Sequence, residues 1–250
     1  MLDVAACICE GAGLFETIHE DLDRYVFAID VDALSRLSYL PRLAFSPRVW
    51  AGTTYRVIHF ANHRMRPRLP ARIVAVLALV LQRFVRNVSG IQITGEAHIG
   101  PGLMFTHEGG IVVGAVRMGR HCTLSHGVTL GRGLADGHVR PEEDRPTLGD
   151  RVWVGPGAVI AGAVVVGSDA AVGANSVVLR DVPPRGVVLG VPARLVSRKG
   201  SFLQVRYRGM DADPARLAAA REASAPASGA ASGQASDPPG HAVPPALAEG

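Results

Sequence analysis

The chain has 250 residues, enough for one large domain or two modest ones; 48% of them are apolar and only 5% aromatic. With 29 glycines and 17 prolines it suits many short strands and tight turns and argues against a helical bundle. The formal net charge is +4 with no long run of one sign, and the arginines at Arg64, Arg66, Arg68 and Arg72 come without a nucleic-acid motif, so they are read as a solvated basic helix end and no nucleic-acid partner is expected.

In chain order, the first fifteen residues lack a basic n-region and carry Asp3 and Glu10, which does not read as a secretory signal. Cys7, Cys9 and Cys122 make an odd count with no second Cys pair, which points to a reducing cytoplasm and away from a zinc site. Residues 1–90 read as a helical region. "ETIHEDLDRYVFAID" places Ile18, Leu22, Tyr25, Val26 and Ile29 at helical spacing. "PRLPARIVAVLALVLQRFV" has Pro70 near a helix start and no breaker before Val85. Its apolar core, Ile73 to Leu81, is too short to span a bilayer and is read as a buried helix, without membrane association.

Residues 91–198 follow another rule. Ile93, Ile99, Phe105 and Ile111, then Met118, Leu124 and Leu130, then Leu148, Val154, Ile160, Val166, Val172 and Val178 recur every six residues within each set. One extra residue enters between Ile111 and Met118. Glycine follows many of these aliphatics, and Ala97, Ala115, Val128, Ala158, Ala170 and Ser176 stand four residues after theirs. A helix turns 600° in six residues and would smear such a pattern around its circumference. Each hexad is instead one short strand and a turn that cannot bury its aliphatic alone, so the hexads stack into a solenoid. Residues 132–146, "RGLADGHVRPEEDRP", break the pattern without breaking its phase, and read as a loop extruded from one coil. Residues 199–250 form a C-terminal extension whose Ala, Ser, Pro and Gly content predicts disorder from about 210.

With each aliphatic as position one, positions one and five point inward and positions three and four outward. His107 and His126 are both position three, after Phe105 and Leu124, and so fall on one column of one outer face, a coil apart. Neighbouring strands lie about 4.8 Å apart, so the two rings are within reach of each other. His121 is position four of its own hexad, on a different face, and reads as a surface histidine.

The hexads, "GIVVGA", "GVTLG", "GANSVVLRDVPP" and "GVPARLV", together with the upstream "DLDRY…YRVIHF", resemble the hexapeptide acyltransferases, and among them the serine O-acetyltransferases, over roughly residues 15–198. The resemblance implies a mainly β fold, a left-handed parallel β-helix behind an N-terminal helical region. It implies acetyl-CoA as co-substrate with no metal, a homotrimer or a dimer of trimers, and a small-molecule or glycan hydroxyl as acceptor. It assigns His107, in "FTHEGGIVVGA", as general base. Histidine suits that task because its ordinary pKa near 6.5 leaves it partly neutral in the cell. The cofactor groove is implied at Trp153, Gly155, Ala161, Ala174, Gly190, Pro192, Ala193 and Arg194.

Three residues depart from that family's pattern. Gln92 stands where an aspartate orients the base; it can fix an imidazole tautomer but cannot offset imidazolium charge. Glu96 or Glu108 are the alternatives for that task. Thr106 replaces the acidic residue before the base. "DRPTLG" keeps Arg145 but loses the histidine that follows in the family's loop. Thr106, His126, Arg145 and Asp32 are the acceptor-binding candidates, and a site with these changes is expected to discriminate less well for serine. The loop also offers His138, in "DGHVRP", as a second candidate base, which brings in O-acetyltransferases of sugars, polysaccharides or specialised metabolites as the alternative. Two other readings use the same solenoid. A γ-type carbonic anhydrase would take His121 and His126 as ligands, but the third ligand, due near Val85, is missing. A non-catalytic scaffold would bind a partner enzyme, but the tail "PALAEG" lacks the terminal isoleucine of the sulfhydrylase-binding relatives.

Overall fold

The computed structural model describes residues 13–28, 41–63, 68–133 and 144–224. Before the strands come the helices α1 (Leu14–Ala28), α2 (Pro47–His63) and α3 (Arg68–Ser89), with a helical turn at 41–44 between the first two. Gly90, at φ +66°, ends α3 and turns the chain into the first strand.

The strands then wind in coils of three. The first coil is β1 (Ile91–Ile93), β2 (His98–Ile99) and β3 (Met104–Phe105). The second is β4 (Ile111–Val113), β5 (Arg117–Met118) and β6 (Thr123–Leu124). The third is β7 (Thr129–Gly131), β8 (Thr147–Leu148) and β9 (Trp153–Val154), and the fourth β10 (Val159–Ala161), β11 (Val165–Val166) and β12 (Ala171–Val172). A last partial coil holds β13 (Val177–Val178), a bridge at Val182, and β14 (Val187–Leu189). Each face of the prism is a parallel sheet built from every third strand, in the orders β1-β4-β7-β10-β13, β2-β5-β8-β11 and β3-β6-β9-β12-β14. The antiparallel β15 (Arg194–Ser197) finishes the third face. The result is a parallel β-helix of about five turns, as the hexads require.

The core runs as columns of buried aliphatics. Phe105, Leu124, Val154, Val172 and Val188 stack through matched register along the third face, and all are buried. Position four of the hexad carries the corner. His121, Arg151, Asp169, Asn175 and Arg185 all have φ between +55° and +60° there, although none is glycine. The backbone stack at these corners sets tight limits. At Gly119 a Cβ would lie 2.3 Å from Asp150 Oδ1 and 2.7 Å from the Gly149 backbone carbon of the next coil. Gly119→Ala is therefore expected to cost about 1–3 kcal/mol. A urea melt checks it, and an unchanged midpoint would show that the coils can spread.

Four expectations need correction. Ile93 pairs with Val113, and Ile91 with Ile111. The inward column therefore passes from Phe105 to Val113, a step of eight, and on to Met118, a step of five. The extra residues lie in the turn His107–Gly110, not after Ile111. Second, α3 is not a buried helix. Its buried side chains include Ala78, Val85 and Ser89, while Val76, Leu77, Val80 and Phe84 are more than half exposed. No helix among the described residues is long and apolar enough to cross a membrane. Third, order persists past residue 210: Pro214–Ser224 forms α4, because Arg216 donates to the carbonyls of Val205 (2.8 Å) and Phe202 (2.6 Å) and Tyr207 hydrogen-bonds Asp213.

That extension also covers His121, which is half-buried rather than a surface histidine. Its ring stacks on Tyr207, centroids 4.2 Å apart, and fills the space beside Gly102, where a Cβ would fall 2.3 Å from Nδ1. Burial, with Arg24, Arg120 and Arg151 nearby, pushes its pKa down to about 3. The folded chain thus holds a neutral imidazole, whereas the unfolded chain protonates near pH 6.5. Stability from this residue is whole above pH 6.5 and falls as the pH drops from 6.5 toward 3. The loss reaches about 2 kcal/mol at pH 5. His121→Asn, which tolerates the same backbone, should flatten that slope in melts between pH 7 and 5; an equal slope in both proteins would contradict it.

Candidate active site

Helices α1 and α2 are pinned to the prism by buried polar groups. Asp21 of α1 pairs with Arg56 of α2 at 2.9 Å and accepts the Leu103 N–H at 2.7 Å; Arg56 donates to the carbonyls of Ile99 and Gly100. Arg24 donates to the carbonyls of Gly102, Cys122 and Arg206 and to the Thr123 hydroxyl. Tyr25 accepts the Phe105 N–H through its hydroxyl. These contacts fix the third face up to the point where His107 leaves it.

His107 sits at the corner after β3. Thr106 is tied by its N–H to the Leu124 carbonyl, and its own carbonyl accepts from Arg48 at 2.5 Å; its hydroxyl is buried and has no hydrogen-bond partner among the described residues. Gly109 and Gly110, at φ +101° and +65°, let the longer turn fold back. The Gly109 N–H donates to the Ser89 carbonyl and the Ile111 N–H to that of Gly90. One coil on, His126 occupies the same corner, and the Gly127 N–H donates to the Gly109 carbonyl. The two imidazoles are exposed and meet edge to face, centroids 5.6 Å apart at 73°. The hexad count placed this pair, and the geometry agrees.

The same column continues. The register of the third face puts His107, His126, Pro156, Ala174 and Gly190 each two residues past a paired aliphatic, on one edge of the prism. Four coils at about 4.8 Å make an edge of about 19 Å. At its far end Gly190 (φ +96°) and the cis Val191–Pro192 bond form a turn that is docked by Ala193 N–H to the Val177 carbonyl and by Val177 N–H to that of Gly190. Trp153, on β9 between Thr123 and Ala171, faces out beside this edge, and a Cβ on Gly155 would strike both its ring (2.9 Å) and the Ala174 nitrogen (3.0 Å). Trp153, Gly155, Ala174 and Gly190–Ala193 therefore gather on one edge with the histidines. Arg194 opens β15, exposed, opposite Leu189. Ala161 lies apart from that edge, on the first face opposite Gly131.

Gln92 is exposed at the centre of β1, in register with Val112. Arg145 is half-buried just before β8, and beside it Asp144 accepts the Gly133 N–H at 3.2 Å; the expected loop lies largely outside the described residues. Asp32 and His138 lie outside the described residues. His121 and His126 do not converge, and among the described residues no cluster of three His, Cys, Asp or Glu could hold a metal. Sequence reasoning missed Arg48 as a prop of Thr106; its contact crosses 58 residues and leaves no local signal.

A prism of hexapeptide coils with paired histidines and a glycine-proline turn on one edge defines a hexapeptide-repeat transferase, and residues 145–180 match the family described as bacterial transferase hexapeptide (six repeats). A serine acetyltransferase of Helicobacter pylori is 38% identical over 62% of this chain and 85% of its own length. Another, of Mycobacterium tuberculosis, is 38% identical over 55% of this chain, which spans 58% of that relative. Among solved structures, soybean serine acetyltransferase complexed with serine has 37% identity and a TM-score of 0.58, covering 73% of this chain and 69% of its own. A serine acetyltransferase in complex with CoA has 30% identity and a TM-score of 0.58, covering 76% and 72%. The chain belongs to the serine acetyltransferase family, and with it to the acetyl-CoA-dependent O-acetyltransferases.

Proposed function

We propose that the chain moves the acetyl group of acetyl-CoA to the hydroxyl of L-serine, with His107 as general base. The observation that carries this reading is the single edge shared by His107, His126, Ala174 and the Gly190–Ala193 turn. The turn and the small side chains at Gly155 and Ala174 leave room for a thin pantetheine arm that delivers its thioester to the histidine end. Neutral His107 takes the hydroxyl proton as the oxygen attacks the thioester carbonyl. The tetrahedral oxyanion collapses, the carbon–sulfur bond breaks, and the departing thiolate takes the proton back from His107. His126 and Thr106 border the acceptor, Arg145 and Asp32 complete it, and Gln92 orients the base. Trp153 and Arg194 line the cofactor; Ala161, on the first face, stands outside that route. The protein works as a cytoplasmic homotrimer; partly exposed apolar side chains on the outer column of the first face, such as Val112, support burial against a second copy.

Pro146 after Arg145, with Gln92 and Thr106, favours a second reading, in which the acceptor is a sugar hydroxyl and His138 contributes the base. An acceptor panel separates the two. Product analysis after incubation with acetyl-CoA, L-serine and a set of sugars should find O-acetylserine as the main product. An O-acetylated sugar with no O-acetylserine would move the assignment to the second reading.

A further inference from the structure

We infer that the cavity between α3 and β1 is an anion subsite, where Arg83 and Arg86 hold the carboxylate or phosphate of a small hydroxyl acceptor; this rests on the acetyl-transfer reading above.

The cavity has a volume of about 340 Å³ and is floored by Ile91–Gly95, with Leu79, Gln82, Arg83 and Arg86 as its helical wall. Its shape follows from the two elements. β1 is the edge strand of the first face, so one side of it meets no further strand. α3 covers that side through a narrow seam: buried Val85 packs in the core with Ile91 and Ile93, the Ser89 hydroxyl accepts the Ile91 N–H at 3.1 Å, and Gln82 donates to the Ile93 carbonyl at 3.3 Å. The next positions round the helix, Arg83 and Arg86, then stand over the open space.

The charges there are one-sided. Among the described residues no carboxylate lines the cavity, and neither guanidinium has an ion-pair or hydrogen-bond partner. Two arginine forks facing a concave, half-enclosed space match the planar, multi-oxygen geometry of a carboxylate or phosphate. The volume admits a small metabolite.

The place is also right for an acceptor. Gln92 lines the cavity, and the His107 turn is hung on the residues that join α3 to β1, through Gly109 to Ser89 and Ile111 to Gly90. The cavity therefore adjoins the strand start from which the His107 turn hangs, so a molecule anchored under α3 by its anionic group would lie next to that turn. Arg83 and Arg86 would then set specificity rather than perform chemistry.

The test uses the full chain and two matched pairs, L-serine against L-serinamide and glycerol 3-phosphate against glycerol. Thiol release gives kcat and KM, and calorimetric titration without acetyl-CoA gives binding. In the wild type the anionic member of at least one pair should be favoured by about tenfold or more in KM. R83Q/R86Q should reduce that preference to about threefold or less while kcat changes little, and R72Q, on the same helix outside the cavity, should change neither. The pair that responds identifies carboxylate or phosphate. A preference equal in wild type and double variant, or none in the wild type, overturns the subsite. If no acceptor releases thiol, the acetyl-transfer reading fails by itself. Calorimetry then decides the subsite: binding of either anion that the double variant loses supports it, and binding that is absent or unaltered overturns it.

Discussion

His107→Ala is expected to lower kcat for serine-dependent thiol release by about 10²- to 10⁴-fold, the usual contribution of a positioned general base. Its melting behaviour should not change, because the His107 side chain is exposed and its turn is held by backbone hydrogen bonds from Gly109 and Ile111. Affinity for CoA should also survive, since the Gly190–Ala193 turn lies four coils along the edge. His126→Ala removes the ring that borders His107 but not the base, so it should act mainly through KM. Full activity in His107→Ala would remove the base from this corner and leave His138 as the candidate.

Asp21→Ala is expected to be the most damaging change to the fold, at about 3–5 kcal/mol. The carboxylate satisfies the Arg56 guanidinium and the Leu103 N–H, and the side chains of the pair are only 5% and 11% exposed. Without it a buried cation faces backbone carbonyls alone. The cost should be largely relieved in Asp21→Ala/Arg56→Met, which removes the stranded charge as well; thermal melts of the single and double variants check this. If the double variant is as unstable as the two single losses added together, the pair is not the coupled unit its geometry describes.

The fold was readable because the hexad makes a separate claim at each coil, and most columns agree. The placement of His107 over His126 needed only Phe105 and Leu124 in register, and they are. The register failed where the backbone departs from six: "HEGG" carries the extra residues, and because Ile111 and Val113 are both aliphatic and both buried, composition alone does not choose between them. The helix 68–89 misled for a related reason. An apolar run fits burial, but only a narrow seam of α3 meets the prism. His121 looked like a surface residue because Tyr207, which covers it, is 86 positions further on (207 − 121), in a stretch with no hexad to locate it. The buried contacts of Arg24, Arg48 and Arg56 are equally long-range. The departures at Gln92 and Thr106 were visible as residue types, and the structure adds their setting: one beside an arginine-lined cavity, the other with a buried hydroxyl unpartnered among the described residues.

The measurement that bears most directly on the central claim is the initial rate of thiol release from acetyl-CoA with and without L-serine, for the wild type and His107→Ala in parallel. The account predicts release that depends on serine, accompanied by an equal amount of O-acetylserine, and nearly lost in His107→Ala. Release that is indifferent to serine, or that His107→Ala retains in full, would contradict it.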